Sequence, residues 1–298
     1  MLRTHSRALR GLRLWHGTAA RTEPSAEDWA EDWAVLSPEE QQRAHRFMRS
    51  AETGHYVHAH ARVRRIMAGL LDCPPGAIRF GREPCPGCGD AGHGRPRVAA
   101  PATALRFNHS RSEAAWLLAV APEGQRVGAD VERIRPLGAF AGLIDSCLAP
   151  DERDYVTGAA DPVRRRLRFY RCWVRKEAVL KAVGTGLAGG LARLDVRPAE
   201  TGAAVVRVDG PGAGRFLVQD IPLGRGLAAA VAGEVTGDRA EEVTDDRAEE
   251  LAADCADSRA CDRADSRVGE RAALFGDSSE RTVPEFINGA DEMAGRAG

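Results

Sequence analysis

The sequence predicts an α+β protein of two similar halves, and three observations carry that expectation. Helical patterns followed by short strand patterns occur twice along the chain, so helices and strands are grouped rather than strictly alternating. The 298 residues, 43% of them hydrophobic, suffice for one large or two small globular domains. After Gly233 the pattern gives way to near-repeats such as Asp-Arg-Ala-Glu-Glu-Val-Thr-Asp-Asp-Arg-Ala-Glu-Glu, which mix charge with alanine and lack a wide apolar face. Such a stretch cannot bury enough surface to offset its ordering entropy. The expected organisation is an arginine-rich extension over 1–11, an N-terminal half over 12–125, a C-terminal half over 126–235 and a disordered tail over 236–298. The two halves are expected to be related by a pseudo-two-fold axis, with the site at their interface.

In chain order, Leu12-Arg-Leu-Trp-His16 reads as a first strand. Ser37-Pro-Glu-Glu40 combines an N-cap serine, a proline at the first helical position and an acid three residues after the cap, predicting a helix to about Arg49. Val63, Ile66, Met67, Leu70 and Leu71 recur at helical spacing and predict a second helix from about Glu52 to Leu71, ended by Pro74-Pro-Gly76. Strands are expected at Ala77–Phe80, Ala104–Asn108, Ala114–Ala121 and Arg126–Glu132. The second half repeats the order. A helix starts at Pro150, a long one covers Val163–Val183, and strands follow at Leu191–Arg197, Ala203–Val208, Arg215–Gln219 and Gly226–Ala232.

A formal net charge of −1 argues against a nucleic-acid coat, and no run reaches the roughly 18 apolar residues of a membrane span. No nucleic-acid or membrane partner is expected. Seven cysteines, an odd number with two in the tail, fit a reducing, cytoplasmic setting better than a disulfide framework. Residues 1–22 hold five arginines and no acid, a composition shared by organellar transit peptides and by a plain extension leading into a strand. The plain extension is the reading adopted, since the rest of the chain is similarly rich in arginine, alanine and glycine. A monomer is expected.

Only two of the 42 basic residues are lysines, and both lie in Trp173-Val-Arg-Lys176-Glu177-Ala-Val-Leu-Lys181. A lysine is a compact charge whose pKa responds to its surroundings, unlike the planar arginine fork. Glu177 and Lys181, four apart on a helix, share a face; as an isolated pair they read equally as a surface ion pair. Asp130 and Glu132 alternate along the strand Val127-Gly-Ala-Asp130-Val-Glu132 and project from one face. Two adjacent carboxylates repel unless a cation joins them, and hard oxygen donors of this kind suit Mg²⁺, with Glu177 available as a third. The plain alternative is a solvated strand end.

These motifs, in this order and spacing, resemble the Sfp-type 4′-phosphopantetheinyl transferases. The resemblance rests on Gly128-Ala-Asp130-Val-Glu132 and on Trp173-Val-Arg-Lys176-Glu177-Ala-Val-Leu-Lys181-Ala-Val-Gly184-Thr-Gly186-Leu187. It also takes in Phe107-Asn108-His-Ser110-Arg111-Ser112, Gly94-Arg95-Pro96 and Leu36-Ser-Pro-Glu-Glu-Gln-Gln-Arg43, covering roughly residues 12 to 233. It implies that CoA lies between the halves with Mg²⁺ held by Asp130, Glu132 and Glu177. A serine of an apo acyl or peptidyl carrier protein would attack the β-phosphorus, releasing 3′,5′-ADP. Glu177 would be the general base and Lys181 would neutralise phosphate charge. Arg43, Arg95 and Arg111 would bind nucleotide phosphates, Asn108 and Ser110 would line the adenylate pocket, and Lys176, nearer the rim, would contact CoA. The carriers implied belong to fatty-acid, polyketide or nonribosomal-peptide synthesis.

Where the family commonly has Ser-His-Ser, this chain has Ser110-Arg111-Ser112, so the phosphate role passes to arginine. A non-catalytic module that binds CoA or a carrier protein is the alternative this change keeps open. Cys85-Pro-Gly-Cys88, followed by His93, has the turn of a zinc knuckle without an evident fourth ligand; a glycine-rich loop with free thiols is the competing reading. His55, His58 and His60 are expected on a helix surface.

Overall fold

The computed structural model describes residues 2–3, 9, 11–19, 25–92, 94–122, 124–138, 140–186 and 190–235; the tail expected over 236–298 lies outside them. The first half runs β1 (Leu2–Arg3), β2 (Arg13–Thr18), α1 (Ala26–Ala34), α2 (Pro38–Ala44), α3 (Ser50–Leu71), β3 (Arg79–Arg82), β4 (Pro96–Ala100), β5 (Arg106–Ser112) and β6 (Ala115–Ala121). The second runs β7 (Val127–Arg133), α4 (Phe140–Cys147), α5 (Pro150–Thr157), α6 (Pro162–Val183), β8 (Ala203–Val208), β9 (Gly214–Asp220) and β10 (Leu227–Glu234).

The strands form two four-stranded antiparallel sheets ordered β1-β2-β6-β5 and β7-β10-β9-β8, with β3 and β4 as a separate pair. The repetition expected from the sequence is visible in the connections. In each half a helix of 22 residues precedes the closing strands, and the last strand pairs back onto an early one, β6 on β2 and β10 on β7. Both long helices stop at a left-handed residue, Asp72 at φ 49° and Gly184 at φ 89°.

Alternation along the strands builds the layers. Val127, Ala129 and Val131 join Leu14, Leu117, Ala119, Leu217 and Val231 in a core between the sheets. The opposite face of β6, with Trp116, Leu118 and Val120, packs against Val63 and Met67 of α3. Ala178, Ala182 and Val183 of α6 pack with Phe216, Val218, Ala230 and Ala232. The result is a stack of helix, sheet, sheet and helix, in which burying each large aliphatic side chain stabilises by roughly 1.5–3 kcal/mol.

The departures from the sequence reading have physical causes. The helix opened by Ser37 has the full capping box, with Glu40 N–H donating to Ser37 Oγ at 3.3 Å and Ser37 N–H to Glu40 Oε2 at 2.8 Å, yet it ends at Ala44 rather than near Arg49. The chain turns there so that Phe47 packs on Tyr56, ring centroids 5.2 Å apart. The strand expected at Leu191–Arg197 is a 3₁₀ turn at Leu191–Arg193 and an irregular segment. Its backbone groups bond buried side chains instead of a ladder: Leu191 and Leu194 carbonyls accept from Lys176, Val196 N–H donates to Glu152, and the Val196 carbonyl accepts from Arg175. Helices α1 and α4 and strand β4 were not expected from the pattern.

Candidate active site

The site forms where β7 passes between β5 and α6, and a glycine permits it. A Cβ on Gly128 would stand 1.9 Å from the Ala178 carbonyl oxygen and 2.5 Å from Ala182 N, so strand and helix backbones meet directly. That approach needs glycine on the strand and small residues one turn apart on the helix. It sets Glu177 and Lys181 beside the face of β7 that carries Asp130 and Glu132.

On its other side β7 is joined to β5 by side chains rather than by a ladder. Asn108, Ser110 and Ser112, at every second position of β5, accept from the N–H groups of Ala129, Val131 and Arg133 at 3.1, 3.3 and 3.1 Å. Short polar side chains at period two thus take the place of a neighbouring strand's carbonyls. Two of the hydroxyls also donate to the carboxylates, Ser110 to Asp130 Oδ1 at 2.9 Å and Ser112 to Glu132 Oε2 at 2.7 Å.

Lys181 Nζ donates to Asp130 Oδ1 at 2.6 Å and to Ser110 Oγ at 3.1 Å. Asp130 is 2% exposed and Glu177 6%, and neither Asp130 Oδ2 nor Glu177 Oε1 has a hydrogen-bond partner. Burial pushes the Glu177 carboxyl up to about 7, with Lys181 opposing and Asp130 adding to the rise. Glu132 is likewise pushed up to about 7 by burial and by the charge of Asp130, against the Ser112 hydroxyl and Lys181. Burial by itself would lower the Lys181 pKa, but Asp130 and Glu177 raise it above the ordinary lysine value. The buried carboxyls of Asp130 and Glu177, each with one orphaned oxygen, and the half-buried Glu132 are hard oxygen donors of the kind that fit Mg²⁺. Among the described residues no three His, Cys, Asp or Glu side chains are gathered closely enough to grip an ion as they stand, and Lys181 stands among the carboxylates.

Beyond β5 lies a cationic region. The Arg111 guanidinium lies over the rings of Phe47 and Tyr56 at 5.2 and 5.3 Å, which fixes its planar head by cation–π contact. Burial, with the nearby charges of Arg111 and Arg43, lowers the His60 pKa against the pull of Glu40. Burial and the charge of Arg43 lower that of Arg82. Arg95 forks onto Glu83 Oε2 from Nε and Nη2 at 2.8 and 2.6 Å, and its Nη1 donates to the Val183 carbonyl at 2.9 Å, tying the loop after β3 to the end of α6. A cavity of about 430 Å³ lined by His16, Thr18, His58, Arg62, Ile66 and Trp116 shares no residue with the carboxylate cluster.

The family model for the 4′-phosphopantetheinyl transferase superfamily matches residues 126–232, the half that carries Asp130, Glu132, Glu177 and Lys181. The 4′-phosphopantetheinyl transferase HetI of Nostoc sp. is 30% identical over 179 residues, 59% of this chain and 70% of HetI. The chain belongs to the 4′-phosphopantetheinyl transferase superfamily. A Synechocystis relative is 30% identical over 159 residues, 53% of this chain and 61% of that one. The human L-aminoadipate-semialdehyde dehydrogenase-phosphopantetheinyl transferase is 26% identical over 197 residues, 63% of this chain and 60% of its own. The chain therefore spans about three fifths to 70% of the length of these relatives.

Within this member of the superfamily, Lys176 departs from its expected place at the rim. It is fully buried, paired with Glu152 at 2.6 Å, and donates to the carbonyls of Leu191 and Leu194. Glu152 also accepts from Ala149 N–H and Val196 N–H at 2.8 and 2.9 Å, so the pair ties α5 and α6 to the segment before β8. Asn108 and Ser110 are buried at 4% and 7% exposure and spend their side chains on β7. His60 is not a surface residue: its Nδ1 lies 3.1 Å from Glu40 Oε1 and its ring stacks on Tyr56. His93 lies outside the described residues. Sequence reasoning missed Ser112 as the partner of Glu132, the Phe47–Tyr56 rings under Arg111, and Arg82. The period-two polar run from Asn108 to Ser112 was the available signal for the first.

Proposed function

We propose that the chain transfers the 4′-phosphopantetheine group of CoA to a serine of an apo acyl or peptidyl carrier protein, releasing 3′,5′-ADP. The observation that carries this reading is the gathering of Asp130, Glu132, Glu177 and Lys181 where α6 meets β7. Asp130, Glu132 and Glu177 would hold Mg²⁺, which when bound supplies positive charge at the CoA pyrophosphate. Glu177, whose carboxyl burial raises to about 7 in the absence of a cation, would be kept as a carboxylate by Mg²⁺ and would accept the serine hydroxyl proton. The serine oxygen bonds to the β-phosphorus as the bond from that phosphorus to the bridging oxygen breaks, and the displaced oxygen leaves on 3′,5′-ADP. Lys181, held by Asp130, keeps a positive charge beside the phosphates through this step.

Arg111, braced over two rings, and Arg43, close enough to influence His60 and Arg82, would hold the other phosphate groups. Arg95 joins them through the loop it anchors to α6. The test is incubation of the purified chain with CoA, Mg²⁺ and an apo carrier, followed by intact mass of the carrier. The expected result is a gain of one phosphopantetheine group on serine, absent with Asp130→Ala. CoA binding without any mass gain on a panel of carriers would replace the reading with a non-catalytic binding module.

A further inference from the structure

The loop between β3 and β4 holds a second cluster of metal-ligating side chains, separate from the carboxylates. Cys85 and Cys88 are free thiols, the first 4% exposed and the second open to solvent. The turn is closed from both ends, Gly89 N–H donating to the Cys85 carbonyl and Cys85 N–H to the Asp90 carbonyl, each at 2.8 Å. Inside it the Cys85 sulfur accepts hydrogen bonds from the N–H groups of Cys88 and Gly87 and meets the Cys88 thiol. Glycine is needed at one place, Gly89, which takes φ 78°, while a Cβ built on Gly87 would lie in ordinary contact with the Cys85 sulfur at 3.7 Å.

Two thiols three residues apart in a closed turn, one of them hydrogen-bonded by backbone N–H groups, form a chelating turn for a soft ion. The N–H groups share the charge of a bound thiolate, and the Asp90 carboxylate adds negative charge beside Cys85. The turn is also fixed in place. Gly87 approaches Thr185, Gly212 approaches both Pro86 and Val183, and the closing residue Gly94 lies so near the Glu83 carbonyl that a Cβ would stand 1.7 Å from it. A loop that only spaced two strands would not need this anchoring to the end of α6.

We propose that the Cys85–Cys88 turn is a site for a thiophilic divalent cation, Zn²⁺, with both thiolates as ligands and further positions open on the solvent side of Cys88. Sulfur donors select Zn²⁺ over the Mg²⁺ suited to the carboxylates. Binding converts two thiols to thiolates and releases two protons per ion. Bound there, the ion braces the loop that carries Arg95 against the helix that carries Glu177 and Lys181. The inference is independent of the transferase reading, because its readout is metal binding.

The experiment uses the full chain, reduced and stripped of metal, titrated with Co²⁺ as a spectroscopic probe. The expected result is a sulfur-to-cobalt charge-transfer band that saturates at one equivalent, is bleached by Zn²⁺ and is accompanied by proton release. Cys88→Ser, at an exposed position that leaves the buried thiol in place, should lower the band at saturation to about half and weaken binding by about 10-fold or more. Asp130→Asn should leave the band unchanged. Absence of the band in the reduced protein, or a band of undiminished intensity and affinity in Cys88→Ser, overturns the proposal; loss of the band in Asp130→Asn shows that the two sites are not separate.

Discussion

Lys176 and Lys181 lie on one helix, five residues apart, and meet opposite surroundings. Lys176 is buried against Glu152 and two carbonyl oxygens, whereas Lys181 reaches Asp130 at the edge of the site. Removing one member of a buried pair leaves the other charge uncompensated, at a cost of about 3–5 kcal/mol. Lys176→Ala should therefore lower stability by that order in denaturant unfolding, and Lys176→Met with Glu152→Gln should recover part of the loss. A Lys176→Ala protein of wild-type stability would rule out the structural role. Lys181→Arg should fold normally, because the Lys181 side chain is 22% exposed and its head lies at the edge of the cluster. A wider head group beside Asp130 and Ser110 should still lower kcat by about 10-fold or more, with Lys181→Ala worse. Steady-state kinetics on a carrier would read this, and an unchanged kcat in both variants would remove Lys181 from the chemistry.

At the scale of elements, the crossing of β7 and α6 depends on Gly128. A methyl group there meets the α6 backbone, a rigid obstacle, so Gly128→Ala should cost about 1–3 kcal/mol or more and move Glu177 away from Asp130. Thermal unfolding with a transfer assay reads both effects; unaltered values for each would mean that α6 can retreat freely. Strand β7 and helix α6 were legible in the sequence because each carries its own local signal. Asp130 and Glu132 follow the strand period, while Asp161, Pro162 and Gly184 mark the start and stop of the helix. The segment after Gly190 was not legible, since its shape is set by Lys176, Glu152 and Arg175, which are distant in sequence and donate or accept in place of a ladder. The end of α2 was hidden for a similar reason, for Phe47 leaves the helix to meet Tyr56. The candidate carboxylates could be found by period and spacing, but the partners that tune them, Ser110 and Ser112, become visible only when β5 is laid beside β7.

For the whole molecule, the two sheets and two long helices gather charge that the fold alone does not neutralise. Glu132 and Glu177 each titrate near 7 when folded, against about 4.5 when unfolded. Between those values the folded chain binds more protons than the unfolded chain, so their contribution makes stability fall as pH rises through that window. Half-buried histidines act in the opposite sense. His60 and His109 have lowered pKa values, His109 well below 6.5, so they favour the folded state increasingly as pH rises towards the ordinary histidine value. Above about pH 6.5 the histidine contribution tapers off as the unfolded imidazoles lose their remaining protons, so the carboxylates give the steeper change. In chelator, the melting temperature should therefore fall between about pH 6.5 and 7.5, and Glu132→Gln should flatten the slope by removing one titrating group. Mg²⁺ should raise the melting temperature more at the upper pH than at the lower, because it binds the charged carboxylates. A slope that Glu132→Gln leaves unchanged, or a Mg²⁺ effect independent of pH, would show that these carboxylates are not the charge the fold leaves exposed to a cation.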